Sequence, residues 1–337
     1  VQDDTIVQAE ARIGLMHRSA EKLFEVRDYR QVLMLGNRHD WINPITSELS
    51  LAVTIEQALG LTPPERATWS RTLLAELTRI GAAMIFAGAS LASEAALRLR
   101  ASYLDLLDAV AGARVHPHIV RIGGLAVALD PDWLHAAEGW IDDVARLLPD
   151  LMSAGQQRWE PLAGIAALSP EQAVSIGVTG PVLRASGVDL DLRRAEPYLA
   201  YADLTHLLTA NDMSSQARAG DIPARHGALL SDAADAVLLV RACIDRLRGL
   251  GDGPFDVRLP KVVRVPEGTY VGQVEGPLGI AGVLLDSLGD KVPSRVKLRT
   301  PAFASVQAMA ASLTGVRMEH LADAVRSFHI VVGDADR

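Results

Sequence analysis

Residues 63–93 constrain the fold more than any other stretch. Leu73, Leu74, Leu77, Ile80, Met84 and Ile85 keep a 3.6-residue period over many turns after Pro63-Pro64-Glu65, with Thr62 expected as N-cap and Glu65 in capping-box register. Apolar positions run round more than one side of such a helix, so other elements must cover it. Its second half reads IGAAMIFAGASLAS between Arg79 and Glu94, short of the roughly 20 apolar residues a membrane-spanning helix needs. The Ala and Gly there suit close packing against neighbouring helices.

Composition supports a large buried core. The 337 residues are 49% hydrophobic and 22% charged, a globular balance that excludes disorder and allows one large domain or two ordinary ones. A net charge of −8 argues against nucleic acid or an acidic membrane surface as the main partner, since both need a surplus of Lys and Arg. The single cysteine, Cys243, excludes an internal disulfide, a CxxC pair and a cluster held by this chain's thiolates, and it suits a reducing compartment. The opening VQDDTIVQAEAR is polar and acidic, unlike a signal peptide. No GxSxG elbow, GxxxxGK loop or HExxH pair supports a stand-alone hydrolase or transferase.

The remaining chain divides by pattern. Helices are expected over 47–59, 91–111, 131–154 with Asp130 as cap, from Ser169-Pro170, and over 229–250, where Cys243 sits as an inert core thiol. Residues 177–201, dense in Gly, Arg and Asp, read as a surface excursion that is functional or covers an interface. Residues 203–225 have little apolar period, and NDMSSQARAGD within them reads as mobile. Short β runs are expected over 257–265, 269–274 and 280–285, continued by SRVKLRTPAF, before a final helix from about 306. The fold class is therefore α+β, predominantly α. Residues 1–46 form an N-terminal extended or β segment with a site turn, 47–250 a helical core, and 251–337 a β-rich part with a terminal helix, together one structural domain.

Two stretches look like site rather than packing. HRSAEKLFEVR leads through 31–35, an expected strand or extended approach, to a turn that gathers Arg38, His39, Asp40 and Trp41 at the mouth of the helical core. The second is GARVHPHIVRIGG, residues 112–124, where Pro117 stops a helix and Gly123-Gly124 permits unusual backbone geometry. It displays Arg114, His116, His118 and Arg121. The histidine pair would suit a metal only with acidic or thiolate partners brought from elsewhere, so no metal is assigned.

A longer run of motifs carries a resemblance. It comprises His17-Arg18 with Glu21-Lys22-Leu23, Arg38-x-Asp40, Pro63-Glu65-Arg66-Ala67, Ala75-Glu76-Leu77-x-Arg79-Ile80 and Gly112-x-Arg114-x-His116. Then come Arg121-x-Gly123-Gly124, LRASGV with Asp191-x-Arg193 and Pro197-Tyr198, VKLRTPAF, and the terminal Gly-Asp-Ala-Asp-Arg. In this order, from residue 17 to 337, they resemble the quinone-site large subunits of NADH-quinone oxidoreductase, the respiratory complex I, a family related to nickel-iron hydrogenase large subunits.

The resemblance implies a hydrogenase large-subunit-like helical core with small β regions at both ends. It implies docking on an iron–sulfur subunit, with other peripheral-arm and membrane-arm subunits beyond, on the cytoplasmic side of the cell membrane. A quinone would be reduced in a cavity between the two subunits, NADH would be used elsewhere in the assembly, and this chain would bind no cofactor of its own. Carried over by position, Arg38, His116 and Arg121 would stand near the partner's cluster, while His39, Asp40 and Trp41 would be quinone-site residues.

Departures accompany it. Trp41 replaces a quinone-bonding tyrosine, and the family's N-terminal hairpin with its quinone-binding histidine lies outside this sequence. The 250–274 region is short and lacks a helix, Phe328-His329-Ile330 replaces Leu-Asp-Pro, and the nickel-binding cysteine pairs are absent. A divergent paralogue serving as an assembly scaffold is the alternative reading.

Overall fold

The computed structural model describes residues 1–208 and 219–337. The stretch around NDMSSQARAGD, where the sequence suggests mobility, lies largely outside the described residues. The fold is built round α4 (Glu65–Leu91), which is covered by α5 (Glu94–Ala111), α6 (Pro131–Trp159), α11 (Ile222–Leu250) and α3 (Pro44–Leu59). Leu73, Leu74, Ile80 and Met84 are fully buried, as a helix surrounded by others requires. By length and composition alone α4 could cross a membrane, but 83% of its most apolar window is buried within this chain.

Capping sets most boundaries. Asp130 accepts from the Trp133 N–H and opens α6, which runs through Pro149 to Trp159 and so passes the expected end at 154. A Ser169–Gln172 capping box opens α7 (Pro170–Ile176) as the sequence suggests. Thr62, by contrast, caps nothing: Pro64 holds the N-cap position of α4 without a side-chain bond. Ala92, in the left-handed region at φ 53°, separates α4 from α5, and Ser93 caps the latter.

Four stretches differ from expectation for identifiable reasons. Residues 31–35 are helical, not extended, because a capping box between Asp28 and Gln31 starts α2 (Tyr29–Gly36) after the short α1 (Ala20–Phe24). At the N-terminal end, strand pairing is limited to the bridges Gln2–Thr5 and Thr5–Arg317. Residues 257–265 carry no strand, since Pro260 offers no N–H and the stretch is held by isolated bonds, Val257 N–H to Gly123 C=O and Arg30 to the carbonyls of Pro260 and Lys261. Residues 177–201 are no surface excursion either: they form α8 (Gly180–Ala185) and α9 (Leu192–Ala195), with Leu183, Arg184, Arg193 and Tyr201 buried. The short α10 (Tyr201–Leu204) follows.

The β structure is small. β1 (Val120–Arg121) pairs with β2 (Gly124–Leu125), and β3 (Gly268–Gly276), β4 (Gly279–Ser287) and β5 (Arg295–Arg299) form an antiparallel meander packed on α3. The last helices are α12 (Pro301–Ser312), which begins at Pro301 rather than near 306, α13 (Leu321–Arg326) and α14 (Val332–Asp336). Asp336 clasps the N-terminal segment, accepting from the Gly14 N–H at 2.6 Å and the Met16 N–H at 2.7 Å.

The arginines and carboxylates of 177–201 belong to an ion cluster in the core. Glu76 of α4 takes Arg79 and Arg193 each at 3.1 Å and the Tyr201 hydroxyl at 2.6 Å. Arg193 also holds Asp191 at 2.7 Å, and Arg184 bridges Glu275 at 3.1 Å and Asp232. Burial would raise the Glu76 pKa, but Arg79 and Arg193 more than offset this and hold it below its usual value. Removing one member of such a cluster leaves buried charge uncompensated. Glu76→Ala should therefore destabilise the protein by about 3–5 kcal/mol, seen as a lower unfolding midpoint in denaturant at neutral pH; a loss near that of an ordinary surface substitution would show the cluster to be dispensable.

Candidate functional site

The turn between α2 and α3 faces two ways. Asp40 points inward, fully buried, and its Oδ1 accepts from the backbone N–H groups of Ile42 at 3.2 Å and Asn43 at 2.9 Å and from the Asn43 side chain. Burial, reinforced by Asp334, pushes its pKa up to about 6. His39 lies with Nδ1 3.1 Å from Asp334 Oδ1, while the other Asp334 oxygen accepts from the Ala302 N–H at 3.0 Å. Trp41 lies half-buried against Gly333, where any Cβ would collide with the indole. His39 and Trp41 thus tie the turn to α14, while Asp40 holds the turn to the start of α3.

Asn37 and Arg38 meet the 116–121 segment instead. His118, in the left-handed region at φ 48°, has Nε2 3.1 Å from Arg38 Nη2 and Nδ1 3.1 Å from the Asn37 amide nitrogen. That nitrogen is also 2.7 Å from Glu48 Oε1, and Glu48 Oε2 accepts from the Val120 N–H at 2.9 Å. Burial, then the charges of Arg38, Arg121 and His116, push the His118 pKa down to about 4. Burial pushes Glu48 up to about 7 against its hydrogen bonds. His116, half-buried with Nδ1 lacking a partner, is lowered by burial and then by Arg38. Arg121 sets a guanidinium nitrogen 3.1 Å from Met34 Sδ.

A second buried pair holds this segment in place. Arg71 binds Glu56 at 2.7 Å and donates to the Gly124 carbonyl at 2.9 Å, while Glu56 accepts from the Gly123 N–H at 2.6 Å. Gly124 must lack a side chain because a Cβ would strike the Phe255 carbonyl. The expected residues therefore fall into two groups: Arg38, His116 and Arg121 gather on one face with His118, and His39, Asp40 and Trp41 are drawn toward the C-terminal end. An apolar cavity of about 510 Å³ near Ile13, Phe86, Met309 and Ile330 includes neither group. Glu48 and Asn37 are central to the first group yet absent from the sequence-based candidates. The available signal was a lone carboxylate in PITSELSLAV, the otherwise uncharged start of α3.

Known proteins share this sequence along nearly its whole length. The model of the family described as "Respiratory-chain NADH dehydrogenase, 49 Kd subunit" matches residues 87–263 and 255–337. The chain is 43% identical to an NADH-quinone oxidoreductase D-type subunit, the one numbered 2, of Salinispora tropica, over 99% of this chain and 87% of that protein. It is 41% identical to the D-type subunit numbered 1 of Streptomyces coelicolor, over 99% and 89%, and 32% identical to the D-type subunit of Granulibacter bethesdensis, over 99% and 90%.

The raised Asp40 pKa gives a pH test. The folded state binds this proton more tightly than the unfolded chain, so its stabilisation is complete below the ordinary carboxylate range and is lost as pH rises to about 6. Asp40→Asn keeps an acceptor for the two backbone N–H groups and has no proton to lose. The stability of the wild type relative to Asp40→Asn should fall by on the order of 2–3 kcal/mol between pH 4 and pH 7, measured by denaturant unfolding at each pH; a constant difference would remove Asp40 from this role.

Proposed function

The chain belongs to the 49 kDa subunit family of respiratory-chain NADH dehydrogenases, and we propose that it forms, with an iron–sulfur partner subunit, the site where electrons pass to a quinone. The observation that carries this reading is the cationic face made by Arg38 and Arg121 beside His116 and His118. Arg38 is exposed, and its side-chain partner is an imidazole held neutral rather than a carboxylate. Such a face suits an anionic group on a partner. An iron–sulfur cluster becomes more negative on reduction, so a fixed guanidinium beside it favours the reduced form and raises its potential. An imidazole on the same face can take up a proton with the electron.

The chain's own thiol does not fit a cluster. Cys243 is fully buried and burial pushes its pKa up, whereas ligation needs a thiolate. The cluster therefore belongs to the partner, NADH is used elsewhere in the assembly, and the chain is peripheral, held on the cytoplasmic side through partner subunits of the peripheral and membrane arms. Trp41 would donate its indole N–H to a quinone carbonyl but cannot deliver a proton as a phenol can. His39 and Asp40 contribute by holding the turn. That same pinning favours a second reading, in which the chain is an assembly scaffold that no longer reduces quinone.

Purification from the native host with redox-poised electron paramagnetic resonance separates the two. A copurifying iron–sulfur protein whose reduced cluster reoxidises on adding quinone is expected, and a cluster indifferent to quinone would favour the scaffold. In that assembly Arg38→Met should lower the midpoint potential of the partner's cluster, and an unchanged potential would dismiss Arg38. His116→Met should flatten the pH dependence of the potential; a persisting slope would assign the proton to another group.

A further inference from the structure

The hydrogen bonds round Asn37 cannot all be made with its amide nitrogen toward Glu48. That nitrogen lies 2.7 Å from Glu48 Oε1 and 3.1 Å from His118 Nδ1, while the amide oxygen is buried without a partner. A guanidinium only donates, so the 3.1 Å contact from Arg38 Nη2 requires His118 Nε2 to be an acceptor. The one proton of the neutral ring then sits on Nδ1, which must donate, and the amide atom it meets must be oxygen. A half-turn of the amide exchanges its oxygen and nitrogen, and the surrounding partners decide between the two orientations.

With the amide turned, its oxygen also faces Glu48 Oε1 at the 2.7 Å separation, and its NH2 takes the buried position that offers no acceptor, a cost that the two bonds to the oxygen must exceed. An ionised carboxylate there would set two acceptors against each other, whereas a protonated carboxyl donates. Glu48 Oε2 stays free to accept from the Val120 N–H at 2.9 Å.

We infer that Glu48 carries a proton that it donates to Asn37, and that this proton and the Arg38–His118 hydrogen bond form and break together. When Glu48 releases its proton to solvent, Asn37 turns back so that its nitrogen donates to the carboxylate and to His118 Nδ1. The ring then loses its Nδ1 proton and gains one at Nε2 by exchange with solvent, and the new N–H opposes the Arg38 donor. The net change is one proton lost from Glu48 and one guanidinium let go.

The groups facing Glu48 are His118, with Nδ1 3.9 Å from Oε1, and Arg121 from the 116–121 segment and Tyr103 from α5, while Arg38 and His116 act on His118. Burial outweighs the hydrogen bonds from the Val120 N–H, the Asn37 side chain and the His118 backbone and the charge of Arg121, all of which favour ionisation, and this places the change near pH 7. His118, pushed down to about 4, stays neutral throughout, so only its tautomer changes. This chain of bonds stands on the structure of the turn, and its effect on a partner's cluster rests on the proposed function.

Infrared difference spectroscopy of the assembled complex with 13C-labelled glutamate tests it. A protonated carboxyl band should vanish as pH rises through about 7, and it should be missing from Glu48→Gln. No such band, or the same band in the variant, would overturn the inference. His118→Leu removes the reason for the turned amide and should move the titration to lower pH; an unmoved midpoint would overturn the coupling to Arg38. In Glu48→Gln, which cannot lose the proton, the potential of the partner's cluster should lose its step near pH 7 while the slope supplied by His116 persists. If the band behaves as expected and the potential does not, the bond chain stands and the placing of Arg38 beside a cluster falls.

Discussion

The core is arranged round a carboxylate in the middle of its central helix. Glu76 sits on α4, fully buried, and its ionised form exists only because Arg79, Arg193 and Tyr201 reach it from three elements. Hydrophobic burial alone would let α4 rotate or slide among similar Ala- and Leu-lined neighbours. A buried charge has one set of partners, so the cluster fixes the register of α4 against α9, α10 and, through Arg79 and the carbonyls of Glu275 and Gly276, against β3. The sheet in turn packs on α3, whose first turns carry the candidate site. Placement is passed outward from the least apolar point of the interior.

The site follows from the same logic on a smaller scale. Residues of the α2–α3 turn are divided between two supports, His39 and Trp41 on α14 and Asn37 with Arg38 on the 116–121 segment. The second support is itself immobilised by Arg71 and Glu56. A cationic face built this way is stiff, which matters if it is to meet a partner's charge without first losing entropy.

Legibility in the sequence tracked how local the deciding interaction was. Asp130 and Ser169 were readable because a cap acts over three residues. The long period of α4 was readable because burial on every side leaves a signature in composition. Residues 177–201 misled because charged residues usually mark surface, and their partners Glu76, Asp232 and Glu275 come from distant parts of the chain. Residues 31–35 misled because the capping residues Asp28 and Gln31 lay partly outside the apolar run. Of the site, the turn and the His116–Arg121 segment could be singled out, but their separation into two supports could not. Glu48 stayed hidden, since its meaning depends on Val120, 72 residues away.

The contact between His39 and Asp334 spans 295 residues, and the one between Gly14 and Asp336 spans 322. Contacts so remote in sequence form only when the whole intervening chain has been made. During synthesis, α4 and its neighbours can begin to pack while the turn that carries Arg38 still lacks its inner support. The turn is therefore held early on its outer side, by the 116–121 segment, and on its inner side only once the last helix of the chain has been made.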